Sequence, residues 1–461
     1  MFTKDTFIKR RNDLRKLVSS GIVLILGNQE SSMNYPANTF HFRQDSNFLY
    51  FFGLDAPDLA GIIDIDNNID TIFGNDVDME DIIWMGDQPL VKDRASQVGI
   101  SNTETFGKLH DAVKKAIQSG RRVHFVPPYR SKNKIILESL LGIQTSVLKH
   151  YASIELIKAI IKLREIKDAG EIADIEATEE TAWNMHVTAM KMAKEGIYER
   201  EIAGAMEGIA LAGGGGISFP IILSVNGQTL HNHYHGNMLK NGRLMVADAG
   251  AESVAHYATD ITRTIPVSGK FDTRQREIYE IVLKANEESI LMSAPNISYK
   301  SVHLNAARIV ADGLKQIGLM KGNIEQAVEQ GAHALFFPHG LGHMMGLDVH
   351  DMEDLGENFV GYDEEFHRSA QFGLAFLRLA KKLKPGFVLT VEPGIYFIPA
   401  LIDQWKAEKQ FTEFINYDKL EPYKTFGGIR IEDDILITES GARVLGKKVP
   451  KSVAEIENVM K

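Results

Sequence analysis

Three histidines, His339, His343 and His350, fall within twelve residues of the stretch "FFPHGLGHMMGLDVHD" (336–351), and three more, His231, His233 and His235, stand in "LHNHYHGN". Neutral imidazoles bind divalent metals and also move protons near neutral pH. Which chemistry applies depends on the carboxylates that can join them. Four candidates sit at the ends of strand-like runs or inside them: Asp248 in "VADAG", Asp260 in "ATDITRT", Glu392 in "LTVEPG" and Glu432 in "GGIRIEDDILIT". An acid embedded in an apolar strand is costly unless it is paired or coordinated. The runs "RLMVADAG" and "AHYATDITRTIPV" are joined by a short loop and read as antiparallel strands, which would bring Asp248 and Asp260 together. A cation between two such anions is the simplest remedy for their repulsion. In "GGIRIEDDILIT", alternation puts Ile429, Ile431, Ile435 and Ile437 on one side and Arg430, Glu432 and Asp434 on the other, so Arg430 and Glu432 can share a site. Four carboxylates with one histidine suit two hard or borderline divalent ions, manganese first. Two ions about 3.5–4 Å apart can share a water and lower its pKa. The remaining histidines could then stabilise a tetrahedral intermediate or carry protons.

Each residue also has a blander reading. A single strand-end aspartate is more often a turn residue than a ligand, and Glu before Pro-Gly is a common loop sequence. Asp433 and Asp434 are expected to be solvated or paired with lysines, and His233 and His235 to lie at the surface or beside the site. His41, His110, His124, His150, His186, His256, His303, His333 and His367 are expected to be structural. Gly340, Gly342 and Gly346 argue against a zinc-protease helix over the 339–350 cluster, and no glutamate follows its first histidine. The same glycines miss the spacing of a dinucleotide-binding loop.

Residues 1 to about 155 alternate short apolar strands ("GIVLIL", "AGIIDID", "RVHFVP") with helical patterns such as "GKLHDAVKKAIQSG", closed by Gly120. This is an α/β arrangement with few catalytic groups. Its aromatic and polar patch "FRQDSNFLYFFG" (42–53) is expected to be a buried strand. A long helix is expected from Asp168, with Ile172, Ile175, Ala182, Met185, Ala189 and Met192 on its buried face, ended by Gly196. "EIAGAMEGIALAGGGG", "TRQREIYEIVLKANEESI" and "SVHLNAARIVADGLKQIG" read as further helices, and "FPIILSV", "GFVLTVEPGIYF" and "GGIRIEDDILIT" as strands. The domain boundary is placed between 155 and 165, giving domains 1–158 and 159–461.

The 461 residues allow two or three domains, and 44% apolar with 24% charged residues is ordinary for a soluble globular chain. A net charge of -10 argues against nucleic acid or an anionic membrane as partner. The absence of cysteine excludes disulfides and thiolate metal sites and fits a reducing cytoplasm. The apolar run Ile22–Leu26 is too short for a signal-peptide core. No stretch approaches the roughly 20 apolar residues of a membrane span.

"HGLGHMMGLDVHD", "DAG" followed by "DITRT", "VEPGIYF" and "GGIRIEDD", in this order, resemble the proline-specific metallopeptidases of the pita-bread fold, which include aminopeptidase P and prolidase. The resemblance spans the whole chain. It implies an α+β protein, with an amino-terminal α/β domain followed by a pita-bread catalytic domain, and hydrolysis of the bond between an amino-terminal residue and proline. It implies Asp248, Asp260, His343, Glu392 and Glu432 as ligands of two divalent ions, with manganese expected and zinc or cobalt as alternatives. His231, His339 and His350 resemble the substrate-side histidines, Glu392 a carrier of the nucleophile's proton, and Arg430 a group beside Glu432. Because all five ligand positions are filled, the metal-free relatives of this fold, both binding modules and creatine hydrolases, are disfavoured. The segment "FLRLAKKLKPG" resembles the prolidase stretch whose arginine holds a substrate carboxylate, with Arg378 at that position. Aminopeptidase activity is preferred, with the dipeptidase close behind. The partners implied are peptides with proline second, and a second copy of the chain in a homodimer.

Overall fold

"IVLIL" forms strand β1 (Ile22–Leu26), buried along its whole length, as expected of a strand covered on both faces. A computed structural model describes residues 2–267 and 269–461, so Met1 and Ser268 lie outside the described residues. The chain divides into two units, Met1–Arg164 with Glu353–Phe359, and Glu165–Met352 with Val360–Lys461. In the first unit, β1 joins β2 (Ala60–Asp64), β3 (Ile69–Phe73), β4 (Asn102–Glu104) and β5 (Val123–His124) in one mixed sheet of order β4-β3-β2-β1-β5. The helix Lys108–Gln118 packs on this sheet through Leu109, Val113 and Ala116, one stripe at helical spacing.

The stretch 42–53 departs from expectation. It holds a helix, Ser46–Phe52, whose seven residues are all buried. Asp45 accepts a hydrogen bond from Phe48 N at its start, and Gly53 ends it in the left-handed region at φ +61°. Burial on all sides erased the periodicity that distinguishes a helix from a strand, leaving only these two caps as signals.

The second unit begins with the helix Ala169–Met192, capped by Asp168 in a reciprocal arrangement with Glu171. It packs beside the helix Glu199–Ala212, and the helices Thr273–Met292 and Tyr299–Gln316 form a second such pair. Three small sheets complete this unit. The first is the antiparallel set β6 (Ile222–Ser224), β7 (Leu244–Ala249) and β8 (Ile261–Pro266). The others combine β9 (Val388–Val391), β10 (Gly394–Tyr396), β11 (Gly428–Arg430), β12 (Asp433–Ile437) and β13 (Ala442–Val444), as β13-β12-β9 and β10-β11. The expected single strand over "GGIRIEDDILIT" is therefore two strands in two sheets, with Glu432 at the crossing. Among the described residues, no helix is long and apolar enough to cross a membrane.

Candidate metal centre

Asp248 lies in β7 opposite Thr262 of β8, and Asp260 stands one residue before β8 begins. The backbone N–H of Asp260 donates to Asp434 Oδ2 at 2.7 Å, which fixes the turn into the strand. Glu392 fills the break between β9 and β10. The glycine-rich segment beside it runs along β9: Glu392 N donates to Leu341 O, Thr390 N to His343 O, and His343 N to Thr390 Oγ1. That clip aims His343 at the carboxylates. It also needs Gly342, where a Cβ would stand 2.1 Å from Thr390 O. Glu432 is tied to β8 through Glu432 N to Thr262 O, and through Thr262 Oγ1 donating to Glu432 Oε2 at 2.6 Å.

These elements bring Asp248, Asp260, His343, Glu392 and Glu432 to the wall of one cavity of about 510 Å³. Asp260, His343 and Glu432 each offer an atom within 4.8 Å of the others. His343 Nδ1 lies 3.0 Å from Met344 O, so that nitrogen is the donor. Its Nε2 then faces Asp260 Oδ2 at 3.4 Å and Glu392 Oε1 at 3.8 Å, the arrangement of a ligating imidazole. One oxygen each of Asp248 and Asp260 is buried without a hydrogen-bond partner among the described residues. Burial pushes Asp260 and Glu432 well above the ordinary carboxylate range, and the neighbouring acids push them further. Glu392 rises to about 7, chiefly by burial with a contribution from Asp248. Burial holds His343 well below the usual histidine value, with the neighbouring His350 adding to the effect. Crowded carboxylates with orphaned oxygens, beside an imidazole that resists protonation, fit a divalent cation rather than protons.

The other expected site residues line the same cavity. His231 and His233 are exposed at its mouth, while His235 turns away to Ile221 O. The His231 loop is held by buried Glu199, whose carboxylate accepts from Val225 N and Asn237 N. His339 Nδ1 is 2.8 Å from Gly340 O, and its Nε2 is 2.8 Å from the Tyr396 hydroxyl. Arg430 donates to that hydroxyl through Nη1 and to Asp248 through Nη2. Arg430 therefore braces Asp248 and, through Tyr396, His339. It shares Thr262 Oγ1 with Glu432, to which it has no direct bond among those described. His350 packs edge-on against His343 and accepts from Arg378 Nη1. Arg378 is in irregular chain after a short 3-10 turn.

Neither Asp433 nor Asp434 is solvated, since both are buried; the expected lysine pairing holds for Asp433, and the expectation fails for Asp434. Asp433 pairs with Arg263 as well as Lys451, and Asp434 supports Asp260. Asp434 lies in β12, whose five residues are all buried, so alternation could not separate a buried acid from a solvated one there. Tyr396, Thr262 and Thr390 were not singled out from the sequence. Their signal was adjacency: Tyr396 lies four residues past Glu392, Thr262 two past Asp260 and Thr390 two before Glu392.

The description "Metallopeptidase family M24" matches residues 173–439, and "Aminopeptidase P, N-terminal domain" matches residues 7–124. A probable Xaa-Pro aminopeptidase of Aspergillus clavatus is 34% identical over 91% of this chain and 88% of its own length. The Xaa-Pro dipeptidase of Homo sapiens is 31% identical over 96% of this chain and 89% of its own. A zinc-substituted Escherichia coli aminopeptidase P in complex with product superimposes with a TM-score of 0.82 at 29% identity, covering 100% of this chain and 98% of that one. The fold is thus an aminopeptidase P-like amino-terminal domain followed by a pita-bread catalytic domain, and the chain belongs to metallopeptidase family M24.

Proposed function

We propose that this chain is an Xaa-Pro aminopeptidase, cleaving between an amino-terminal residue and a following proline. The observation that carries the reading is the convergence of Asp248, Asp260, His343, Glu392 and Glu432 in a cavity also lined by four further histidines and two arginines. These five residues would hold two divalent ions, with manganese preferred for a set so rich in carboxylates. When bound, the ions supply Lewis acidity for the scissile carbonyl and lower the pKa of water.

The chain's own groups supply the rest. Arg430 and Tyr396 hold Asp248 and His339 in place, and His339 and His350 face the position of the reacting carbonyl and the proline. Glu392 receives the nucleophile's proton and passes it toward the leaving nitrogen. Proline's imide nitrogen has no hydrogen for a protease to grip, so a site that holds the free amine and the carbonyl suits this bond. His231 closes the substrate side at the mouth.

The second reading is a dipeptidase. It is favoured by Arg378, whose guanidinium stands beside His350, where it could bind the carboxylate of a terminal proline. Purified protein would be assayed on Ala-Pro and on Ala-Pro-Ala, with and without chelator. The aminopeptidase reading expects metal-dependent cleavage of the tripeptide, and cleavage of the dipeptide alone would replace it with the dipeptidase. Activity that persists in metal-free protein would sink both. A homodimer is supported by the short helix Met79–Met85, which leaves Met79, Ile83, Trp84 and Met85 largely exposed. A cytoplasmic setting agrees with the lack of cysteine.

A further inference from the structure

Phe372 and Phe376 line the cavity, yet they are 41% and 55% exposed. Large aromatics left this open at a cleft need an explanation. Their backbone is firmly placed. Gly373, at φ +87°, packs so closely that a Cβ there would stand 2.8 Å from that of Ala334. The Gln371 side chain donates to Glu329 O, and the Tyr362 hydroxyl to Leu377 O. The rings are ordered as well: Phe372 meets Phe376 edge-on at 6.0 Å and rests on buried Trp405 at 5.8 Å. The two phenylalanines therefore form a braced aromatic wall facing the cavity.

Depth in the cavity sets what this wall can meet. Asp260, His343 and Glu432 are buried at its floor, His350 and Arg378 are half-buried, and Phe376 and Phe372 stand at the rim. A peptide with its amine and scissile carbonyl at the floor and its proline near His350 continues outward past Arg378. We propose that Phe372 and Phe376 form the subsite for the residue after proline and select a large apolar or aromatic side chain there. The inference rests on the proline-peptidase reading and favours its aminopeptidase form, because a dipeptide has no third residue to reach the wall. Aromatic pairs gain from edge-on contact beyond simple area burial, so a third-position phenylalanine is the best probe.

The test compares kcat/KM for Ala-Pro-Phe and Ala-Pro-Gly, together with calorimetric binding of the products Pro-Phe and Pro-Gly to the metal-loaded protein. The wild type is expected to favour phenylalanine by about tenfold or more in both measurements. Phe376→Ala should bring both ratios near one, while Phe376→Leu, which keeps an apolar surface, should retain part of the preference. Using ratios separates a subsite effect from a general loss of activity. Cleavage of both tripeptides at equal kcat/KM by the wild type would overturn the subsite and leave the peptidase reading standing. Failure to cleave any Xaa-Pro peptide would overturn both.

Discussion

Asp248 and Asp260 each keep one oxygen in the interior with no hydrogen-bond partner among the described residues. An uncompensated buried acceptor costs about 1–3 kcal/mol, so these atoms mark where coordination has its strongest effect. Asp260→Asn is expected to remove most bound metal, measured as atoms per chain by mass spectrometry, and to lower kcat/KM by at least about a hundredfold. Full metal content in that variant would refute Asp260 as a ligand. Tyr396 lies one step back, between Arg430 and His339. Tyr396→Phe should lower activity about 10–100-fold with little loss of metal. Arg378→Ala should harm Ala-Pro cleavage more than Ala-Pro-Ala cleavage, and equal losses would count against a carboxylate-binding role. At this scale the sequence was highly legible, because acids in apolar runs are conspicuous. Asp434 was misread because what distinguishes it is its tertiary contact with Asp260 N, which lies 174 positions away in sequence.

The element that depends most on its surroundings is the 339–351 segment, which has almost no regular structure and carries three of the site's histidines. Backbone bonds to β9 hold it on one side. On the other, a buried ion pair between Lys167 and Asp351 at 2.9 Å anchors it. Asp351 N also donates to Met344 O, so the pair fixes both ends of the turn behind His343 and His350. Lys167→Met alone leaves a buried charge and should cost about 3–5 kcal/mol in urea unfolding. The double variant Lys167→Met with Asp351→Leu should recover much of that loss. If the single variant proved neutral, the pair would not be a structural anchor. The glycines announced that this segment is not helical, but its partner could not be read from the sequence, since Lys167 lies 184 positions away. The helix Ser46–Phe52 was mistaken for a strand for a different reason: apolar composition gives burial but not period.

For the molecule as a whole, several interior histidines set the acid limit. Burial lowers His303 to about 3 and His333 to about 4, with His333 adding to the effect on His303. Below the ordinary value of about 6.5 the unfolded chain takes up protons that the folded chain refuses, so folding weakens as pH falls. The loss should run from about pH 6.5 toward 4 for His333 and toward 3 for His303, by on the order of 1.4 kcal/mol per pH unit for each. His303→Leu should flatten the slope of denaturation midpoint against pH across that window, and an unchanged slope would exclude His303 as its source. Asp433 acts at lower pH. Burial opposes its ionisation, but Arg263 and Lys451 outweigh that and bring it down to about 2. Its stabilisation is complete above the unfolded value near 4 and disappears as pH drops through 2. The two-part organisation was legible from alternating strand and helix patterns in the first third and long amphipathic helices beyond it. How three separate sheets share one floor was not, because register between distant strands leaves no local trace. That geometry has a mechanical consequence. Asp248 lies in β7, while Glu392 and Glu432 stand at the two crossings between the β13-β12-β9 and β10-β11 sheets, so manganese in the pocket would rivet segments of the chain that are far apart in sequence. Scanning calorimetry should show the melting temperature of the catalytic half climbing with added manganese, because a ligand of the folded form alone stabilises it by mass action. A chelated sample should lose this half first.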